Sequence, residues 1–191
     1  MSKKNPKILV ILGSVREGRN GPKVAQWYLD QARTLAPHLN FEILDAAEEA
    51  LPLLSEAIPP VYHQYSPVQQ KLADKISSAD GFIVVATEYN HSLPASLKNL
   101  LDHVYAEWNH KPFAYVGYGT SGAIRSIEHL IQIVTFLGGV SVRDAVGVNL
   151  VWDAFDQEGQ MKPGYSHGSI EGQLKELTWW VDALSASRER V

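Results

Sequence analysis

A three-layer α/β fold with a doubly wound, five-stranded parallel sheet is the fold class that this sequence predicts. Short runs rich in Val and Ile alternate along the chain with longer segments of helical hydrophobic periodicity. Three of the runs are nearly free of charge, which is typical of strands buried on both faces of a parallel sheet. Right-handed crossovers between successive strands would place helices on both faces.

Five apolar runs are the predicted strands. The first, third and fourth runs carry the fewest charges, so we expect them at the centre of the sheet. In chain order, the predicted strands are Lys7–Leu12, Phe41–Leu44, Gly81–Ala86, Pro112–Val116 and Val140–Val148.

Apolar residues spaced three or four positions apart predict helices between and after the strands. Each stripe should pack on one face of the sheet. The stripes are Val24, Tyr28, Ala32 and Leu35; Val68, Leu72 and Ile76; Leu97, Leu100, Leu101, Val104 and Trp108; Ile124, Ile127, Ile131 and Val134; and Leu174, Leu177 and Val181.

Composition narrows the class of protein. A chain of 191 residues, 45% of them hydrophobic, predicts a single domain, 1–191. A net charge of −4 with scattered Lys and Arg disfavours nucleic acid and anionic lipid as partners. Because the sequence has no cysteine, it excludes disulfides, zinc thiolate sites and iron–sulfur clusters, so any redox chemistry needs a bound cofactor.

Signals for export, membrane insertion and metal binding are missing from the sequence. The first apolar run ends at Gly13, too early for the hydrophobic region of a signal peptide, and no run approaches the roughly 18 apolar residues of a membrane span. We therefore expect a cytoplasmic protein without membrane contact. The histidines form no H-x-x-x-H pair, so we expect no metal site.

The loop after the first strand, Gly13–Pro22, has the composition of an anion site. Ser14 offers a hydroxyl, and Arg16 and Arg19 offer guanidinium groups. The helix that should begin near Pro22 adds free N–H groups and the positive end of its dipole. The loop is therefore predicted to bind a terminal phosphate, although a solvated turn with two surface arginines has the same composition.

The loop after the third strand, Thr87–Pro94, suits a flat heteroaromatic ring. Tyr89 can form an aromatic wall. The alternative is a polar loop that only caps the next helix. Four further side chains could hydrogen-bond the ring edges, namely Glu88, Asn90, His91 and Ser92.

The loop after the fourth strand, Gly117–Gly122, matches the G-x-G-x-x-G pattern of dinucleotide-binding proteins. In those proteins the pattern follows the first strand of the fold, whereas three earlier units precede it here. We therefore interpret Gly119 and Gly122 as positions where the backbone approaches the same ligand as the other two loops. A flavin-free dinucleotide-binding protein that uses this loop is an alternative.

The three loops should converge on one ligand, because the carboxyl ends of the central strands meet at one edge of a doubly wound sheet. A phosphate at the loop after the first strand and a flat ring at the other two loops describe flavin mononucleotide, FMN. Flavodoxin-like sheets of strand order 2-1-3-4-5 have their FMN crevice at this place.

Three motifs resemble those of the NADPH-dependent FMN reductase family, which includes flavodoxin-like quinone, azo-dye and chromate reductases. The likeness covers about residues 7–148. The sequence departs from the family at Thr87, where Pro is frequent, and near Arg19, where Ser or Thr is frequent. The motifs are Gly13–Arg16, Thr87–Pro94 followed by Leu97–Asp102, and Gly117–Arg125.

The resemblance implies which residues bind FMN. The flavin would carry the chemistry, so no side chain is expected to be catalytic, and Tyr89, Asn90 and His91 would line its ring. The implied phosphate ligands are Ser14, Arg16, Asn20 and Gly21, the ring contacts are Glu88, Tyr89, Asn90 and Ser92, the contacts of the pyrimidine edge are Gly119 and Thr120, and Arg19 and Tyr118 complete the predicted site.

The predicted function is that of an NAD(P)H-dependent FMN oxidoreductase. Hydride from NADPH or NADH would reduce bound FMN, and electrons would then pass to a small-molecule acceptor such as a quinone or azo compound, with ping-pong kinetics. The loops Leu51–Pro67 and Asn149–His167 are expected to shape the open face. A non-enzymatic, flavodoxin-like electron carrier is the alternative from another class.

Two predicted helices carry more apolar surface than one sheet face can cover. The third ends in Tyr105–Trp108, and the fourth adds Ile133 and Phe136 beside its inward stripe. A second subunit would bury this surface, although ordinary core packing with a few exposed apolar residues is the alternative. The family resemblance likewise implies a homodimer or homotetramer.

Overall fold

The computed structural model describes residues 5–188, and one sheet of seven strands runs through them. Residues 1–4 and 189–191, which belong to the predicted domain 1–191, lie outside the described residues. The strands are β1 (Lys7–Leu12), β2 (Asn40–Asp45), β3 (Gly81–Thr87), β4 (Pro112–Gly119), β5 (Val140–Ser141), β6 (Val146–Asn149) and β7 (Ser166–His167).

The strand order is β2-β1-β3-β4-β6-β7, with β5 paired to β4 beside β6. All pairs from β2 to β6 are parallel, which confirms the predicted doubly wound α/β class and the order of the first four strands. Every residue of β3 is buried, as are the first seven residues of β4. The runs with the fewest charges therefore lie at the centre, because helices cover them on both sides.

The predicted fifth strand, Val140–Val148, is divided in two. β5 pairs with the start of β4, and β6 pairs with its end. Between them lie Arg143 and Asp144, which are exposed, and a continuous buried strand would have to desolvate both charges. Beyond β6, the antiparallel strand β7 adds an edge that the predicted five-stranded sheet did not include.

Within the described residues, the sheet is covered by six helices, namely α1 (Gly21–Leu35), α2 (Ala46–Glu49), α3 (Pro67–Ser77), α4 (Ala95–Asp102), α5 (Ile124–Phe136) and α6 (Ile170–Arg188). α1 and α6 pack on one face, against alternate strand residues such as Val10 and Ile83. α3, α4 and α5 pack on the other face, against Ile11 and Phe82. Among residues 5–188, no helix has both the length and the apolar composition to cross a bilayer.

The apolar stripes are buried except at helix ends. Leu35, Val68 and Ile124 have exposed fractions of 45%, 44% and 54%. Each lies in the first or last turn of its helix, past the edge of the sheet surface that the helix covers. Helical periodicity predicts which side of a helix faces the sheet, but the extent of the sheet decides where burial stops.

The predicted third helix stops earlier than its apolar pattern. α4 ends at Asp102, and Trp108 lies in a separate 3-10 turn, Ala106–Trp108. There the Trp108 ring is fully buried, and its indole N–H donates to the carbonyl of Leu101 over 3.1 Å. Trp108 is therefore core and not part of an exposed apolar face.

Gln173 on α6 joins α6 to α1, to β4 and to the segment between β5 and β6. The hydroxyl of Tyr28 on α1 donates to its Oε1 over 2.8 Å. Its Nε2 donates to the carbonyl oxygens of Tyr115 (2.9 Å) and Asp144 (2.8 Å). Gln173 is fully buried, and this network satisfies its amide while fixing α6 against the strand that leads into the candidate site.

Candidate functional site

A cleft of about 270 Å³ opens at the carboxyl edge of the central strands. It is walled by the loops after β1, β3 and β4, as predicted, and by a turn after β6. The lining residues are Arg16, Glu17, Gly18, Arg19, Asn20, Thr87, Glu88, Tyr89, Tyr118, Gly119, Thr120, Val151 and Trp152.

The start of α1 offers unsatisfied amide donors beside the cleft. Asn20 is the N-cap residue, but its side chain makes no capping hydrogen bond, and the first turn contains no acidic residue. The first backbone N–H groups of a helix have no partner within the helix, and the helix dipole adds positive potential there. This end of α1 can therefore bind an anion.

The two arginines of the loop after β1 have different environments. Arg19 makes a bidentate ion pair with the buried Asp45, with N–O distances of 2.7 and 2.5 Å, and also donates to the carbonyl of Ser14. Arg16 is exposed, lies 5.5 Å from the centre of the Tyr89 ring, and makes no ion pair among residues 5–188. The uncompensated positive charge of this loop is therefore that of Arg16.

Two contacts join the loop after β1 to its neighbours. The buried hydroxyl of Ser14 hydrogen-bonds the hydroxyl of Tyr89 over 2.6 Å. Gly13 packs against α4, since a Cβ atom there would lie 2.8 Å from Cδ2 of Leu97. Gly21 packs against Tyr118, since a Cβ atom there would lie 3.0 Å from the Tyr118 hydroxyl. These glycines make room for protein atoms behind the cleft wall.

The loop after β3 forms a tight turn whose ends are both bonded. Tyr89 and Ser92 exchange main-chain hydrogen bonds of 2.9 and 3.1 Å, and the central residues, Asn90 and His91, have φ of 49° and 74°. Positive φ at both positions is the type I′ geometry, in which Asn is favoured. Asn90 and His91 are exposed at the tip, beside the cleft.

α5 holds this turn from the outside. The carboxylate of Glu88 accepts from the backbone N–H of Arg125 (3.1 Å) and from its guanidinium (2.8 Å). One helical turn later, Nδ1 of His129 is 2.8 Å from the hydroxyl of Ser92. Burial acts to raise the pKa of Glu88, but the hydrogen bonds and charge of Arg125 outweigh it, so this pKa lies below its ordinary value.

The glycine pattern after β4 is used mainly for packing. A Cβ atom on Gly117 would lie 1.9 Å from the carbonyl oxygen of Gly122, and one on Gly122 would lie 2.9 Å from the ring of His167. Gly122 was expected to approach the ligand, but its close neighbours are protein atoms. Gly119 does line the cleft and has a φ of 147°. A Cβ atom built on it would lie 3.9 Å from Oγ1 of Thr87.

Tyr118, like Thr87, is a buried residue of the cleft wall with a hydroxyl group. Its side chain is almost inaccessible, and burial raises its pKa to about 12. Its hydroxyl therefore stays protonated at neutral pH and can donate a hydrogen bond.

The structure brings the predicted site residues together. Most of them line the cleft, Ser14 and Gly21 lie behind its wall, and the turn from Asn90 to Ser92 lies beside it. The lining residues outside the predicted ligand set are Glu17, Gly18, Thr87, Val151 and Trp152, and each lies in a loop that the sequence analysis placed at the site.

The two segments expected to shape the open face differ in whether they line the cleft. The segment after β6 reaches the cleft through Val151 and Trp152, but no residue of the fully described stretch 51–67 lines it. That stretch lies over α4 instead, where Asn99 accepts from the backbone N–H of Leu54 (3.0 Å) and donates to the carbonyl of Pro52 (2.8 Å).

The sheet is parallel and doubly wound, and the cleft lies where its strand order reverses, beside a helix start that can bind an anion. These features define a mononucleotide-binding α/β protein. The chain belongs to the NADPH-dependent FMN reductase family, whose model matches residues 6–153. It is therefore an oxidoreductase with FMN as cofactor and NAD(P)H as reductant, as predicted.

Individual relatives agree with this membership. The chain is 38% identical to an NAD(P)H-dependent FMN reductase of Schizosaccharomyces pombe over 69% of its own length and 67% of the relative. It is 33% identical to a quinone reductase of Escherichia coli over 69% and 70% of the two chains. The solved structure of FerB, a flavoenzyme NAD(P)H:(acceptor) oxidoreductase from Paracoccus denitrificans, shares the fold with a TM-score of 0.64, at 22% identity over 97% and 98% of the chains.

The pair of Glu88 and Arg125 predicts a pH-dependent contribution to stability. Because the folded-state pKa of Glu88 lies below its ordinary value of 4.5, its contribution is complete above that pH and is lost as the pH falls through the folded-state pKa. Glu88→Gln should therefore lower the free energy of unfolding in urea at about pH 7, and this loss should shrink as the pH falls through the folded-state pKa of Glu88. Glu128→Gln, at an exposed position of α5, is the matched control, and a loss for Glu88→Gln that does not change as the pH is lowered would contradict the assignment.

Proposed function

We propose that the cleft binds FMN with its phosphate at the start of α1 and its ring beside the loops after β3 and β4. The observation that carries this proposal is the donor set at one end of the cleft, where free amides of α1 lie beside the unpaired guanidinium of Arg16. A dianionic phosphate matches that set, because charge-assisted hydrogen bonds and the helix dipole both favour it. Arg19 contributes by bracing the loop through Asp45.

The other end of the cleft suits the flavin ring. Tyr89 lies between the two ends, because one face of its ring has the Arg16 guanidinium over it and its hydroxyl contacts Ser14. Glu88 lines the cleft beside it, Asn90 and Ser92 belong to the adjoining turn, and His91 lies at the exposed tip. Gly119 leaves open space, since only the Thr87 hydroxyl lies within 4 Å of a Cβ atom built there. The residues present therefore fit a flat ring joined to a phosphate.

The pyrimidine edge of the ring is proposed to meet amide donors of the loop after β4. The carbonyl of Gly119 accepts from the N–H of Val151 over 3.2 Å. In a trans peptide the N–H points away from the carbonyl, so the N–H of Thr120 faces away from Val151. A fixed N–H donor of this kind stabilises negative charge where it develops.

Bound FMN supplies the hydride-accepting and electron-donating chemistry. We propose that NAD(P)H and a quinone-like or azo acceptor use the same open face in turn, because both must reach the one flavin ring that the cleft would hold. The relatives are named NAD(P)H-dependent FMN reductases and quinone reductases, which supports NAD(P)H as donor and a quinone as acceptor. NAD(P)H is an intracellular reductant, so a cytoplasmic setting accompanies this proposal.

Alternating use of one face predicts ping-pong kinetics. Initial rates measured against NADPH at several fixed quinone concentrations should give parallel double-reciprocal lines, since the donor product leaves before the acceptor binds. Intersecting lines would show that both substrates are bound together, which would overturn this part of the proposal.

The phosphate site is tested by Arg16→Ala. Loss of its charged hydrogen bond should raise the Kd for FMN on the order of 10- to 100-fold, the equivalent of about 1.5–3 kcal/mol. The measurement is quenching of flavin fluorescence when the flavin-free protein is titrated into FMN.

Arg143→Ala is the matched control, because the Arg143 side chain is 86% exposed and, within residues 5–188, its guanidinium pairs with the neighbouring Asp144 alone. Its Kd for FMN should equal that of the unchanged protein. Failure of the unchanged protein to take up FMN would overturn the proposal, and an unchanged Kd in Arg16→Ala would remove Arg16 from the site.

We also propose a homo-oligomer that buries an apolar groove between α4 and α5. The groove encloses about 500 Å³ and includes Pro60, Val61, Tyr105, Ile133 and Phe136. Phe136 is 77% exposed, which is unusual for a Phe that faces only solvent. A second copy of the chain would cover this surface.

Phe136→Asp tests the groove. A charge there should not disturb the fold, because the side chain is exposed, but it should dissociate subunits that bury it. Light scattering after size-exclusion chromatography should show a lower mass for Phe136→Asp and an unchanged mass for the control Trp179→Asp, which is 62% exposed on α6. A monomeric unchanged protein would contradict the homo-oligomer.

A further inference from the structure

Trp152 is an exposed aromatic side chain on the wall of the cleft. Its exposed fraction is 60%, although its neighbours Val151, Ala154 and Phe155 are buried. Large apolar side chains that stay accessible beside a pocket mark contact surfaces. The segment Asn149–His167 was expected to shape the open face, but Trp152 itself was given no role.

The turn that carries Trp152 is held by main-chain hydrogen bonds. The N–H of Asp153 donates to the carbonyl of Leu150 over 2.8 Å and closes the turn. The N–H of Leu150 donates to the carbonyl of Thr120 over 3.3 Å, and the N–H of Val151 donates to the carbonyl of Gly119 over 3.2 Å. Trp152 is thus attached to the loop that we propose for the pyrimidine edge of the flavin.

The side chains around the turn add to this support. Val151 points into the core, with an exposed fraction of 5%, and Ala154 is fully buried. The N–H of Lys162 donates to the carbonyl of Ala154 over 2.8 Å, which holds the chain that follows the turn. The indole is therefore placed beside the cleft before any ligand arrives, and little further order is needed for contact.

The face of the indole is uncovered, in contrast to the other aromatic wall. The Tyr89 ring has the guanidinium of Arg16 over it at 5.5 Å. Within residues 5–188, no ring or cation pairs with the indole of Trp152. An aromatic face of this size, next to a cleft and without a partner, fits a flat aromatic ligand.

We propose that Trp152 determines acceptor specificity by stacking its indole on the flat ring of an aromatic electron acceptor in the cleft. The proposal rests on the proposed function, because it takes FMN to occupy the inner part of the cleft. Acceptors with an extended aromatic face would bind more tightly because of this contact, whereas the binding of small ionic acceptors would not depend on it.

Equilibrium binding of 2-naphthol tests the contact without turnover. The probe has a flat bicyclic face and accepts no electrons from the flavin. Calorimetric titration of the FMN-loaded protein should give a Kd that is about three- to tenfold higher in Trp152→Ala, the size of a lost aromatic stacking contact. Trp152→Phe should recover part of the loss, because it keeps an aromatic face.

Trp179→Ala is the matched control, since Trp179 has a similar exposed fraction of 62% but does not line the cleft. It should bind 2-naphthol like the unchanged protein. In steady-state assays, Trp152→Ala should raise the KM for 1,4-naphthoquinone more than the KM for ferricyanide. A merely structural role would change both acceptors alike.

The outcomes separate this proposal from the proposed function. Failure of the unchanged protein to retain FMN overturns the function itself. With FMN retained, equal 2-naphthol binding by the unchanged protein and Trp152→Ala, or no binding by either, overturns the role of Trp152 alone. A higher Kd for FMN in Trp152→Ala also overturns it, because the indole would then belong to the flavin site.

Discussion

Burial of the parallel sheet on both faces is the constraint on which the rest of this structure depends. With α1 and α6 on one side and α3, α4 and α5 on the other, groups that need water or a ligand gather where the strands end. β1, β3 and β4 end at the same edge, and the loops that follow them wall the cleft. The site is therefore a direct result of how the core is covered.

Polar contacts between the loops keep that edge in one arrangement. The hydroxyls of Ser14 and Tyr89 join the loops after β1 and β3. The buried Asp45 at the end of β2 balances the charge of Arg19. Arg19 can thus brace the loop without adding an unpaired charge, which leaves Arg16 as the arginine of this loop without an ion pair among residues 5–188.

The segment after β6 serves both the fold and the cleft. β7 pairs with β6 and covers an edge that would otherwise present unpaired backbone groups. The same segment bonds to the carbonyls of Gly119 and Thr120 and carries Trp152 to the mouth of the cleft. On the opposite side of the sheet, α5 connects the cleft, through Arg125, with the apolar groove at Phe136.

The sequence by itself determined the order of the central strands, the faces of the helices and the three loops of the cleft, because periodicity and charge-free runs are local signals. It did not determine that Gly122 packs against His167, or that Arg19 pairs with Asp45. Nor did it place Trp152 at the cleft. Only the tertiary structure decided these contacts, since short polar loops have no period and their partners depend on how strands distant in sequence align.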